Sequence, residues 1–192
     1  MEEKIKRFED LLMCVEREGI MNLIDFIRKS DFYKAPASTK YHSCHEGGLL
    51  EHTLNVYDCL CAKRDSSVWA ETFRNIPDDT LVIVALLHDL CKTYFYTTEM
   101  RNKKDENGKW VQVPFYTTND IYPLGHGSHS VIFAQKFITL TMEEIMAINW
   151  HMGWSVPKED YNYLGKAMRK YPLVLALHEA DEEATYLMEE ES

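Results

Sequence analysis

"LVIVALLHDLCK", residues 81–92, is the stretch on which the fold turns. Its first seven residues, Leu81 to Leu87, are all apolar, and such a run fits either a buried strand or a buried helix. Its flanks favour a helix. Upstream, Pro77-Asp78-Asp79-Thr80 has the form of a helix start, with acids at the positive end of the dipole. Downstream, the run passes into His-Asp-Leu-Cys-Lys with no turn signal. An adjacent His88 and Asp89 at the end of an apolar helix are desolvated, and a buried carboxylate costs several kcal/mol unless something compensates it.

Helical spacing recurs on both sides of this segment. It is seen over 3–18 (Ile5, Phe8, Leu11, Leu12, Val15), 21–29 (Leu23, Ile24, Phe26, Ile27) and 48–62, with a loop at Pro36, Ser38 and Thr39 and a short helix near 66–74. Helices are expected again at about 128–139, from the capping box Thr141-Met-Glu-Glu144 to near His151, at 158–170, and at 172–188 behind Pro172. Residues 94–118 differ. Tyr94–Thr98 and Trp110–Tyr116 are β-like, Asn107-Gly108 suits a tight hairpin turn, and Pro114 marks an edge strand. The expected fold is an all-α bundle with a two-stranded β-hairpin inserted at about 94–118.

The chain has 192 residues, 45% hydrophobic and 27% charged, with no linker or low-complexity segment, so one globular domain is expected over 1–192. No apolar run approaches the roughly 18–20 residues needed to span a bilayer, and the charged start MEEKIKRFED has no apolar core of a signal peptide. Five cysteines in no evident framework point to reduced thiols and the cytoplasm. Cys59 and Cys61 lie about 200° apart on a helix, which favours buried small residues over a ligand pair. The net charge of 21 − 31 = −10 argues against a broad duplex-DNA-binding surface. It leaves room for a small nucleotide or a short single strand bound at a local cationic site, which a metal can supply.

Several candidate site residues fall on or beside the apolar faces of these helices. "YHSCHEGGLLEHTLNVY", residues 41–57, crowds His42, His45 and His52, and His52 lies one turn from Leu49 and from Val56. Asp181 falls on the apolar stripe formed by Val174, Leu177, Ala184 and Met188. His151 closes its helix just before Gly153, and His126 is flanked by glycines that allow close backbone approach. A lone histidine at the border of a core is ordinarily structural. Four imidazoles and two carboxylates converging in one helical core would suit a transition metal or a pair of them, but periodicity leaves their convergence open.

"GGLLEHT" (47–53), "LLHDLCK" (86–92), "GHGSHS" (125–130), "NWHMG" (149–153) and "LHEAD" (177–181) in this order resemble the landmarks of the HD superfamily of metal-dependent phosphohydrolases. The branch is similar to the HD domain of bacterial 3′–5′ exoribonucleases and to HD hydrolases of Firmicutes and their phages. The resemblance covers about 35–185, so that 1–34 stand as an N-terminal helical extension of an HD core. It implies an all-α bundle with the His-Asp pair on one buried helix. It implies His52, His88, Asp89 and Asp181 as ligands of a first metal, and His126 and His151 as the added ligands of a binuclear site bridged by Asp89. Lys92 matches a lysine that holds a phosphate oxygen or developing charge. Cys91 stands where the family pattern has glycine. His42 matches a histidine before the Gly-Gly turn and is a candidate for touching substrate. His45 and His129 have no clear counterpart and are expected at the surface or behind the ligands, although either could meet a phosphate. His178 is expected behind the ligands.

The implied activity is hydrolysis of a phosphoester, of a nucleotide or a short single-stranded nucleic acid, by a metal-bound hydroxide. The mixed His/carboxylate set suits Mn, Fe, Co, Ni or Zn better than Mg alone. Tyr94, Tyr96 or Tyr116 on the insertion could stack against a base or simply pack the hairpin. Two other readings use the same residues: an HD-type di-iron oxygenase, and a non-catalytic nucleotide-binding module.

Overall fold

The run Leu81–Leu87 is helical, and the helix it belongs to is the centre of the molecule. In the computed structural model, which describes residues 1–39, 43–120 and 122–189, this is helix α5 (Asp78–Leu87), and Thr80 to Leu87 are all buried. Before it come α1 (Glu2–Met13), α2 (Ile20–Lys29), α3 (Gly48–Arg64) and the single turn α4 (Ala70–Phe73). After it come α6 (His126–Ala134), α7 (Met142–Trp150), α8 (Tyr161–Lys170) and α9 (Leu173–Glu183). α3 packs between α5 and α9, while α7 lies against α5, α6 and α9. These contacts bring the inner faces of α3, α5, α7 and α9 to one place. Among the described residues, no helix is long and apolar enough to cross a membrane.

The β insertion is an antiparallel pair, β1 (Tyr96–Lys104) and β2 (Trp110–Thr118), in the register Tyr96↔Thr118 to Lys104↔Trp110. The turn differs from the expected tight one. It is a five-residue loop in which the Asp105 carboxylate accepts from the N–H groups of Asn107 and Lys109, both at 2.9 Å, and only Gly108 has a positive φ, of 76°. The aspartate side chain organises this turn, so the Asn-Gly pair does not close it alone.

Three helix ends also depart from expectation. The first helix stops at Met13 and not at 18, because Arg17 turns away to bond Glu144 Oε2 at 2.7 Å and the Glu16 N–H donates to Asp79 Oδ2 at 3.0 Å. α5 ends at Leu87, so Asp89 lies beyond the helix. Its φ/ψ of −106°/20° leads into a 3₁₀ turn at Leu90–Lys92, capped by the Ser130 hydroxyl, which accepts from Cys91 N–H at 3.1 Å. α9 gives way at Ala184–Met188 to a π-helical turn, leaving Met188 exposed instead of in the core.

The capping box of α7 forms as expected: Thr141 Oγ1 accepts from Glu144 N–H, and the Glu144 carboxylate accepts from Thr141 N–H at 2.7 Å. Glu144 is fully buried, and its other oxygen accepts from the Thr80 hydroxyl at 2.9 Å, which joins α7 to α5.

Candidate metal centre

His52 on α3, His88 and Asp89 at the end of α5, His151 at the end of α7 and Asp181 on α9 meet inside the bundle. His52, His88, Asp89 and His151 are buried and Asp181 is partly so. The Nδ1 atoms of the three imidazoles face groups that can only accept or are ionised. His88 Nδ1 lies 2.8 Å from Ala85 O, His151 Nδ1 2.7 Å from Ile148 O, and His52 Nδ1 2.9 Å from Glu189 Oε1. Each Nδ1 therefore carries a hydrogen and donates it, and each Nε2 is directed to the common interior.

There the Nε2 atoms meet the carboxylates. His52 Nε2 is 3.1 Å from Asp181 Oδ1 and 3.3 Å from His88 Nε2. His88 Nε2 is 3.4 Å from Asp89 Oδ2, and His151 Nε2 is 3.7 Å from Asp89 Oδ1. One donor atom each from His52, His88 and Asp89 lie within 4.8 Å of one another, and so do those of His88, His151 and Asp181. His151 Nε2 is buried without a hydrogen-bond partner among the described residues. An orphaned imidazole nitrogen facing two carboxylates is what a divalent transition ion satisfies, and this cluster fits a metal site of the HD type.

The charges are coupled. Burial disfavours the cationic form of His52, but hydrogen bonds to Asp181 and Glu189 outweigh it and push its pKa up to about 10. Burial also opposes ionisation of Asp181 and Asp89. The His52 contact nevertheless holds Asp181 below the usual carboxylate range, and Lys92 with the nearby imidazoles holds Asp89 well below it. Burial works against the Lys92 ammonium as well, and Asp89, 2.6 Å away, more than compensates. Lys92 thus neutralises the carboxylate that lies between His88 and His151.

The other candidates are placed as follows. His126 opens α6 at the exposed edge of the cluster, with Nδ1 3.4 Å from Cys91 Sγ, and belongs to neither donor trio. Gly127 is required beside it, since a Cβ there would come within 2.2 Å of Asn149 O and push α6 off α7. His178 Nδ1 donates to His151 O at 2.9 Å, and its ring lies 2.3 Å from where a Cβ on Gly153 would stand. It supports His151 through the backbone. His45 is exposed near Glu51, and His42 lies outside the described residues. The Tyr96 hydroxyl donates to Ala37 O at 2.9 Å, while Tyr94 (φ 58°) is tied to α2 and its end, its N–H donating to Asp31 at 2.8 Å and its hydroxyl to Lys29 O at 3.3 Å. His129 is buried on α6 against Tyr122 and Phe133.

Glu189 is the residue that sequence patterning passes over. Its carboxylate is buried and accepts from His52 Nδ1, from the Ser43 hydroxyl at 2.7 Å and from Asn55 Nδ2 at 3.3 Å. It lies past the last apolar residue of α9 in the run Met-Glu-Glu-Glu-Ser, where nothing separates it from its acidic neighbours. The π-helical turn at Ala184–Met188 delivers it back to α3.

Over 64 residues the sequence is 39% identical to the dihydroneopterin 2′,3′-cyclic phosphate phosphodiesterase of Methanocaldococcus jannaschii, a match that covers 33% of this chain and 25% of that one. The chain therefore spans about a quarter of the length of the curated relative it matches. No protein-family model matches the chain, and no solved structure does.

Proposed function

We propose that the chain is a metal-dependent phosphohydrolase of the HD type, acting on a phosphoester of a nucleotide or a short single-stranded nucleic acid. The observation that carries this reading is the convergence of three Nδ1-anchored imidazoles on two carboxylates, Asp89 buried and Asp181 partly so. The partial similarity to a phosphodiesterase supports the reaction class. In this reading His52, His88, His151, Asp89 and Asp181 hold one or two divalent ions, with His126 completing the set at the open edge. Ions bound there supply Lewis acidity toward a phosphoryl oxygen and lower the pKa of a water from 15.7 toward about 7.

The protein's own groups do the rest. Ala85 O, Ile148 O and Glu189 orient the imidazoles and fix their tautomers. Lys92 keeps Asp89 ionised and adds a positive charge beside the place where a phosphoryl group docks. The acidic chain disfavours long polyanions, which leaves small or short substrates.

The test is phosphate or ester release from nucleoside monophosphates, cyclic nucleotides, bis-p-nitrophenyl phosphate and short RNA, run with Mn²⁺, Fe²⁺, Co²⁺, Ni²⁺, Zn²⁺ and Mg²⁺. His88→Ala and Asp89→Ala should lose at least about 100-fold in rate. Undiminished turnover by chelator-stripped protein would refute the reading. A mixed-valent di-iron signal with no phosphoester cleaved would replace it with the oxygenase.

A further inference from the structure

A pocket of about 280 Å³ opens beside the cluster, between the foot of the hairpin, α2 and α6. Its walls are the rings of Phe26, Phe95, Tyr122 and Phe133. The polar side chains of Thr93, Asn119 and His129 line it as well, and Thr93 and His129 are more than nine-tenths buried. Thr93 Oγ1 and His129 Nε2 have no hydrogen-bond partner among the described residues. A buried polar atom left unpaired is costly, and two beside one small pocket ask for a ligand that satisfies both.

The pocket adjoins the metal centre. Cys91, which lines it, has its sulfur 3.4 Å from His126 Nδ1, and the Phe95 ring stands edge-on to the His126 ring at 5.7 Å between centroids. A group seated here therefore lies next to His126, at the exposed edge of the cluster.

From these contacts we infer that the pocket receives the planar nitrogen heterocycle of the phosphoester substrate, sandwiched by Phe95, Phe133 and Tyr122 and hydrogen-bonded by Thr93 and His129. This inference rests on the phosphohydrolase reading and specifies its substrate. An alkyl chain would fill the aromatic walls but leave both polar atoms unsatisfied, and a bare sugar would need many more polar partners than the pocket holds. The volume lies just under the roughly 300–1,000 Å³ of whole-ligand sites, which suits one base with its phosphate left outside at the cluster. Thr93 Oγ1 and His129 Nε2 are shielded from bulk water, and Tyr122, which is half exposed, stands edge-on to His129 at 5.4 Å.

The test uses the full chain with Thr93→Val, His129→Phe and, at the exposed rim, Tyr122→Ala, each checked for folding by circular dichroism. Calorimetric titration with unphosphorylated nucleosides is expected to show binding to the wild type and at least tenfold weaker binding to the variants. The ratio of kcat/KM for the best nucleotide ester to that for bis-p-nitrophenyl phosphate is expected to fall at least tenfold in the variants. An active wild type whose nucleoside binding and substrate ratio are unmoved by all three changes would overturn the pocket assignment and leave the phosphohydrolase reading intact. Nucleoside binding that the variants weaken, with no phosphoester cleaved by any metal-loaded form, would sink the hydrolase and keep the pocket. Absence of both binding and cleavage would remove both.

Discussion

His52 is held from both sides: Asp181 on Nε2 and Glu189 on Nδ1. A metal-binding histidine whose second nitrogen donates to a carboxylate is oriented and made more basic, so loss of that carboxylate weakens metal binding. Glu189→Gln keeps the shape and removes the charge. It should lower metal affinity about 10–100-fold, read by chelator competition or by the Co²⁺ absorption spectrum, independently of turnover. On the proposed metal-site reading, the same pair makes metal uptake pH-dependent. With its pKa near 10, His52 in the metal-free protein carries a proton at neutral pH that an ion must displace. Metal affinity should therefore rise by up to about tenfold per pH unit between pH 7 and 9, and calorimetry in buffers of different ionisation enthalpy should register the released proton. Stability of the metal-free protein runs the other way. The raised His52 pKa contributes fully below its ordinary value of 6.5 and is lost as pH rises through about 10, whereas the lowered Asp181 contributes above 3.8 and is lost on acidification.

At the scale of elements, the site depends on where helices stop. Asp89 leaves the helical conformation, and its carboxylate lies among His88, His151 and Lys92, which flank it within 2.6–3.7 Å. The helical reading of Leu81–Leu87 follows from pattern alone, but the exit after Leu87 does not, because it is set by Ser130 and Lys92 from outside the helix and after it. The start of α7 was legible for the opposite reason. Its capping box is local, with both partners three residues apart. What is not local is that Glu144 also binds Arg17 and Thr80. Glu144→Ala removes the cap and strands the buried Thr80 hydroxyl. It should cost about 2 kcal/mol in denaturant unfolding, with the metal centre's spectrum retained in the folded fraction.

For the whole molecule, the N-terminal helices share the core. Phe8, Leu12, Leu23, Ile24, Ile27 and Phe32 are fully buried in the same cluster as Leu49, Ile83 and Leu177. The resemblance to HD domains begins only at about residue 35, which made 1–34 look like an appendage. At about 1.5–3 kcal/mol for each large apolar side chain, those six residues amount to roughly the entire net stability of a domain, about 5–15 kcal/mol. A chain of residues 35–192 should therefore fail to unfold cooperatively in a thermal melt, whereas a simple appendage could be removed without loss of the transition.

Helix periodicity, the capping box, the β-like arms and the ordered histidine and aspartate landmarks were all written in the sequence, because each depends on neighbours a few residues away or on a side-chain alternation that the chain itself displays. The tertiary structure alone decided that His52, His88, Asp89, His151 and Asp181 meet while His126 stays at the edge, that Lys92 pairs with Asp89, and that Glu189 returns to anchor His52. These are contacts between residues up to 137 positions apart. Their geometry follows from how α3, α5, α7 and α9 pack and where each ends, and no local pattern in the chain encodes those distances.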